Sequence, residues 1–250
     1  MMWARPCRAF TEPKKMWEGV LERQQNPVRD GMQDDLIMAA VRAAFSQLGE
    51  DADEAAFQKA VAKELGSAER ELRLTFAPAA VPLRRPPPEA IAMLADEGKQ
   101  LAPEGKDPCS RAAKLDVLWD HEGLHIPIEL KFRLHRNSDT YGYMFLKDLH
   151  RLERVVKAGQ HELLSETRYS IFVTRESVYW EGRRPEPQPF WLRDGSSTEK
   201  GQWFQYDQTS ADTLWWRYPP FHLANTYTFR WQDLGRGAKV LLLRVHPQGA

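Results

Sequence analysis

Residues 114–132, KLDVLWDHEGLHIPIELKF, decide the fold of this chain. Apolar residues alternate with others on both sides of Glu122–Gly123, so the stretch predicts a β-hairpin. If the hairpin is centred between these two residues, Asp116 lies directly across from Glu129, because both are equidistant from that centre. Lys131 shares the face of Glu129, because side chains alternate along a strand. The hairpin therefore predicts two carboxylates and a lysine on one face.

Asp116, Glu129 and Lys131 suit the hydrolysis of phosphodiester bonds with a metal ion. Opposed residues in a hairpin have Cβ atoms about 5 Å apart, so the two carboxylates can hold one hard divalent cation. A lysine beside that cation can orient a water molecule or stabilise the charged transition state. Other carboxylate-x-lysine triplets of the chain have no opposed carboxylate: Glu12–Lys14, Glu97–Lys99 and Glu104–Lys106. We therefore predict all three as catalytic residues, with Asp116 and Glu129 as ligands of Mg²⁺, which Mn²⁺ could replace.

Periodicity predicts further helices and strands on both sides of the hairpin. Apolar residues at helical spacing predict helices, and alternating apolar residues predict strands. The predicted helices cover residues 34–48, 53–65, about 90–97 and 143–157, and the predicted strands cover 72–76, 115–119, 124–132 and 169–174. The elements that surround the candidate site thus follow the order helix, three strands, helix, strand.

Two segments of the hairpin, 114–116 and 126–132, resemble the Asp and Glu-x-Lys strands of the PD-(D/E)XK nuclease superfamily. Residues 145–154 and 169–180 are similar to the downstream helix and strand in members of that superfamily. The resemblance covers about half of the chain. Leu115 departs from the pattern, because it stands where the superfamily's name-giving proline does.

The resemblance implies an α/β (α+β) fold with a restriction-endonuclease-like core, in which helices flank a central mixed sheet. It implies a metal-dependent nuclease, most readily a DNA endonuclease. By analogy with the acidic residue of the superfamily's first helix, it also implies that Glu54, or Glu64 as second choice, is an accessory metal or water ligand. Gln58 would lie one turn beyond Glu54.

The chain is expected to comprise three parts. We predict that residues 1–32 form a loosely ordered N-terminal tail and that residues 33–182 form the nuclease core. Residues 183–250 are rich in aromatic residues and predict a β-rich elaboration packed on that core, ending in a hairpin between 227–231 and 240–245. The aromatic side chains could stack on bases, although such residues more often fill a core.

Composition and charge limit the partners. The chain contains 35 Lys and Arg and 35 Asp and Glu residues, so only local clusters of cations can attract a nucleic acid. Lys147, Arg151 and Arg154 recur at helical spacing and are candidates for binding the phosphate backbone of DNA. A homodimer is a further option. Cys7 and Cys109 fit a reducing cytoplasm, and no apolar run of about 18 residues predicts a membrane span.

Two other functional classes stay open. The segment His121-Glu122-Gly123-Leu124-His125 matches the H-E-x-x-H pattern of zinc metallopeptidases, in which both histidines bind Zn²⁺ from one face of a helix. Gly123 and the following Pro127 disfavour a helix there. Glu153 lies at a plausible distance along the chain for a third ligand. The other alternative is a non-catalytic nucleic-acid-binding protein on the same fold, with the trio as a surface salt bridge.

Overall fold

The computed structural model describes residues 27–67, 74–76, 115–134, 139–157, 165–181, 190, 192–204 and 221–247. By its contacts the chain divides into two compact units, Met1–Ala39 and Ala40–Ala250. Most of the predicted N-terminal tail and the short helix predicted around residues 90–97 lie outside the described residues.

The described residues form a mixed α+β structure. Its helices are α1 (Pro27–Gln47), α2 (Glu54–Glu64), α3 (Asp139–Arg154) and α4 (Val178–Glu181). Its strands are β1 (Leu74–Phe76), β2 (Val117–His121), β3 (Leu124–Arg133), β4 (Val155–Lys157), β5 (Arg168–Thr174), β6 (Trp203–Phe204), β7 (Phe221–His222), β8 (Trp231–Gly235) and β9 (Ala238–Val245).

Local sequence signals explain where the first two helices begin. The helix predicted from residue 34 begins earlier, at Pro27, because proline is well suited to the first helical position. Residues 27–32, which the sequence analysis assigns to the N-terminal tail, are therefore the first residues of this helix. The helix α2 follows its prediction closely, because the side chain of Asp53 caps it by accepting a hydrogen bond from the Ala56 amide at 2.8 Å.

Among the described residues, the central sheet has five strands in the order β2-β3-β5-β9-β8. The strands β3 and β5 are parallel, whereas the other neighbouring pairs are antiparallel, so the sheet is mixed as predicted. Parallel neighbours need a crossover connection, which α3 supplies here. The fold class predicted from the sequence is therefore confirmed at the level of a mixed sheet with helices.

The predicted hairpin is present with the predicted register. Val117 pairs with Ile128 and the pairing continues to the turn, where Glu122 and Gly123 have φ angles of 51° and 80°. Two consecutive left-handed residues define the two-residue turn that matches the twist of antiparallel strands. Asp116 directly precedes the first paired residue of β2, and its carboxylate accepts a hydrogen bond from the Leu130 amide, next to Glu129.

The helix α3 and the strand after it separate where the residue types change. We predicted one helix through Lys157, but α3 ends at Arg154 and Val155–Lys157 forms β4. Two consecutive valines favour a strand because β-branched side chains are restricted in a helix. The strand β1 pairs with β4 in a two-stranded sheet that is separate from the central sheet.

The C-terminal segment completes the central sheet. The strand β9 pairs with β5 from Val245 opposite Arg168 to Lys239 opposite Thr174, and β8 follows at the edge. We predicted this segment as an elaboration packed on the core, yet its last two strands belong to the sheet itself. Several of its aromatic residues fill the buried core beside α3, namely Phe204, Phe221, Tyr227, Phe229 and Trp231.

Helices cover the two faces of the sheet. On one face Phe145 of α3 stacks on Phe172 with ring centroids 5.4 Å apart. On the other face Phe57 of α2 stacks on Phe132 at 4.5 Å. Glu129 and Lys131 lie on the face of β3 opposite to Phe132, so their side chains point toward α3.

Gly142 in α3 allows close approach of the chain at Phe190, because an added Cβ would lie 2.3 Å from the Phe190 carbonyl oxygen.

Candidate active site

The candidate site lies just before the start of β2, where β3 continues without β2 as its neighbour. Past Ile128, the last β3 residue paired with β2, the backbone amides of Leu130 and Phe132 donate hydrogen bonds to side-chain carboxylates instead of to carbonyl groups of β2. The Leu130 amide donates to Asp116 Oδ2 at 2.7 Å, and the Phe132 amide donates to Glu54 Oε2 at 3.2 Å. Unpaired edge amides are costly to bury, so the divergence of the strands itself requires acceptors at this point.

The predicted trio and Glu54 belong to one cluster of charged side chains. The Lys131 Nζ atom lies 3.6 Å from Glu54 Oε1, and the Lys131 side chain is 13% exposed. Glu129 is 2% exposed, and its Oε1 atom lies 3.2 Å from Arg151 Nη1. Asp116 joins through the backbone of Leu130, next to both Glu129 and Lys131. The residues selected from the sequence therefore lie close together in the structure.

The structure adds Asp148, which sequence reasoning did not select. Asp148 lies on α3 and is 5% exposed. Its Oδ2 atom is 3.0 Å from Lys131 Nζ, and its Oδ1 atom is 3.1 Å from Arg151 Nη1. Its position three residues before Arg151 on a predicted helix was a usable signal, because such residues share a helix face.

Burial dominates the protonation behaviour of the two glutamates. Burial, reinforced by the neighbouring Asp148 and Asp116, raises the pKa of Glu129 well above its ordinary value, although Arg151 and Lys131 act against it. Burial also raises the pKa of Glu54, with Lys131 opposing. Burial alone would lower the pKa of Lys131, but Asp148 and Glu54 more than compensate and raise it. Lys131 is therefore a cation throughout the physiological range.

We expect the stability of the metal-free protein to reflect the raised pKa of Glu129. The folded state binds a proton at Glu129 at a pH where the unfolded state does not, so this group favours folding below its ordinary pKa of 4.5 and loses that contribution as the pH rises. Relative to the Glu129→Gln variant, the wild type should lose free energy of unfolding as the pH rises above 4.5, as measured by urea denaturation in EDTA. A difference between the wild type and Glu129→Gln that does not change with pH would contradict the expectation.

The other predicted site residues are placed differently. No hydrogen bond among the described residues joins Gln58 to the cluster, although Gln58 lies one turn after Glu54 on α2. Lys147 is half-buried, with Nζ 6.0 Å from the centre of the Tyr143 ring. Arg154 is 3% exposed, and its Nη1 atom lies 3.1 Å from His150 Nε2. The predicted common phosphate-binding face therefore loses Arg154, because that side chain turns into the core.

The H-E-x-x-H segment forms a strand, a turn and a strand instead of a helix. Asp120 pairs with His125 across the hairpin, and His121 pairs with Leu124. Alternation then puts His121 and His125 on opposite faces, so they do not converge on one metal ion. The candidate third ligand, Glu153, is 2% exposed and accepts hydrogen bonds from the segment that contains Tyr227.

The carboxylates of the cluster are suitable ligands for a hard divalent cation, but they are not arranged as a preformed metal site. Among the described residues, no group of three or more His, Cys, Asp or Glu is arranged to hold a metal ion. Glu129 Oε1 and Asp148 Oδ2 are nevertheless buried without a properly directed hydrogen bond, although Arg151 and Lys131 lie close to them. Buried carboxylate oxygens in surroundings that already favour positive charge are suitable ligands for Mg²⁺ or Mn²⁺. Asp116 and Glu129 are the residues that would hold such an ion.

Comparison with known proteins gives no family assignment. No family model matches the chain, and neither a curated protein nor a solved structure matches it. In the part of the chain that the structure describes, no helix combines the length and the apolar character needed to cross a membrane.

Proposed function

We propose that this protein is a Mg²⁺-dependent nuclease with a restriction-endonuclease-like core, and that it hydrolyses phosphodiester bonds of DNA as an endonuclease in the cytoplasm. The observation that carries the proposal is the grouping of these side chains: Asp116 accepts the Leu130 amide next to Glu129, and Lys131 Nζ lies 3.6 Å from Glu54 Oε1. A surface hairpin with an ordinary salt bridge would not bury its carboxylate, whereas Glu129 is 2% exposed.

Each residue has a role that follows from its position. Asp116 and Glu129 would bind the divalent cation, which neutralises the scissile phosphate and activates a water molecule. Lys131 is held between Asp148 and Glu54, and its positive charge would stabilise the negative charge of the transition state. Glu54 would orient water from the N-terminal end of α2. Among the described residues, the four carboxylates of this cluster lie near two cations, Lys131 and Arg151, and an added cation would relieve the repulsion of Asp148 and Asp116 with Glu129.

The direct test is cleavage of plasmid DNA, single-stranded DNA and RNA by the full chain with Mg²⁺ or Mn²⁺. Wild-type protein should cleave DNA, and EDTA should stop it. Asp116→Asn, purified in parallel, keeps an acceptor for the Leu130 amide and should reduce the rate at least about tenfold. The exposed Asp51→Asn is the matched control. Absence of cleavage of all three substrates, or equal cleavage by Asp116→Asn, would refute the proposal.

One observation favours a second candidate, a non-catalytic nucleic-acid-binding protein. Lys131 and Arg151 already lie against Asp148 and Glu129, so the carboxylates have counter-ions without any metal. A protein of this class would shift DNA in a gel without cutting it, and the shift would persist in EDTA. Sedimentation of the same samples would show whether the chain acts as a homodimer.

A further inference from the structure

We propose that Asp148 is a further metal ligand, paired with Glu129, and that the Arg151 guanidinium competes with the metal ion for these two carboxylates. This inference rests on the proposed metal-dependent function. It concerns two residues that the resemblance to nucleases did not select as ligands, both carried by α3.

The geometry around one nitrogen atom carries the inference. Arg151 Nη1 lies 3.1 Å from Asp148 Oδ1 and 3.2 Å from Glu129 Oε1. A single positive nitrogen atom therefore bridges oxygens from two carboxylates, one on α3 and the other on β3. A divalent cation bridges carboxylates in the same way, with oxygen ligands drawn from separate elements.

The burial of the two carboxylates supports a ligand role independently. The side chains of Glu129 and Asp148 are 2% and 7% exposed, so water does not satisfy them fully. Each also turns one oxygen toward a cationic side chain, Glu129 Oε1 toward Arg151 Nη1 at 3.2 Å and Asp148 Oδ2 toward Lys131 Nζ at 3.0 Å. Buried carboxylates need positive charge beside them, and a divalent cation would supply it in the place that Arg151 occupies in the metal-free protein.

Arg151 can leave this position more readily than either carboxylate. Its side chain is 24% exposed, the highest value of the three, and it is long enough to reach solvent while its stem stays packed. When the guanidinium withdraws, both carboxylates become available together. Removing the guanidinium by mutation should therefore favour metal binding, because the ion no longer has to displace it.

The test is calorimetric titration of the metal-free full chain with Mn²⁺, which needs no activity. Asp148→Asn should weaken Mn²⁺ binding at least about tenfold, since it removes a charged ligand. Arg151→Gln should tighten binding at least about threefold, since it removes the competing cation. The matched controls, Asp51→Asn and Arg230→Gln, are exposed and should bind as the wild type does.

The outcomes separate this inference from the nuclease proposal. If Glu129→Gln weakens Mn²⁺ binding but Asp148→Asn does not, Asp148 is no ligand and the inference fails while the nuclease proposal stands. If neither the wild type nor Arg151→Gln binds Mn²⁺ at millimolar concentration, both fail. Should Asp148→Asn not fold by circular dichroism, Arg151→Gln decides: tighter binding supports the competition, and unchanged or weaker binding overturns it.

Discussion

The Lys131→Met variant is expected to cleave DNA about a hundred to a thousand times more slowly than the wild type, the usual cost of removing one stabilising group from a transition state. Lys131 Nζ lies 3.0 Å from Asp148 Oδ2 and 3.6 Å from Glu54 Oε1. These carboxylates hold the pKa of Lys131 above its ordinary value, so the variant removes a permanent charge. Initial rates with saturating Mg²⁺ provide the measurement.

Controls distinguish loss of chemistry from loss of folding. Lys59→Met makes the same substitution at an exposed position of α2 and should cleave DNA at the wild-type rate. Lys131→Arg retains the charge and should recover part of the activity, although its planar head group fits the space of an ammonium group poorly. Equal rates for Lys131→Met and Lys59→Met, with both proteins folded by circular dichroism, would show that Lys131 has no catalytic role.

The second large effect is on stability, at Glu153. This α3 residue is 2% exposed, and its carboxylate accepts four hydrogen bonds at 2.8–3.1 Å, from the Ala224 amide, the Asn225 amide and side chain, and the Tyr227 hydroxyl. Glu153→Ala would leave these donors without their acceptor in the interior. We expect the free energy of unfolding to fall by about 3–5 kcal/mol, because several charge-assisted hydrogen bonds are lost together.

Urea denaturation at neutral pH measures this loss. Glu199→Ala removes the same groups from an exposed glutamate and should change the free energy of unfolding by less than about 0.5 kcal/mol. Glu153→Gln keeps one acceptor oxygen and should fall between the two. A loss below about 1 kcal/mol for Glu153→Ala would mean that water or rearranged donors replace the carboxylate, and that the segment around Tyr227 does not depend on α3.

Sequence reasoning succeeded where neighbours along the chain decide the outcome. The Glu122–Gly123 turn and the alternation around it specify the pairing of β2 with β3, and hence the relation between Asp116 and Glu129. The Asp53 cap likewise determines where α2 begins, which puts Glu54 in its first turn. Each of these results depends on a few adjacent residues, so the sequence contains the necessary information.

Sequence reasoning failed where distant segments compete for the same partner. The strand β1 has a good strand pattern, but the pattern does not say that it pairs with β4 instead of the central sheet. Similarly, β9 adds to β5 because that strand has an open edge and the side chains of β9 fill the core beside α3. Strand pairing depends on which apolar faces can be buried together, a property of the whole chain.

By itself, the sequence determined the hairpin, the first turn of α2 and the relation of Asp116, Glu129 and Lys131, because local geometry and the two-residue period of a strand suffice for them. Only the tertiary structure decided the surroundings of that trio. It buries Glu129, turns Arg154 into the core, and brings Asp148 and Arg151 of α3 onto the sheet, because the crossover that packs α3 against β3 and β5 sets which of its charged side chains face the site.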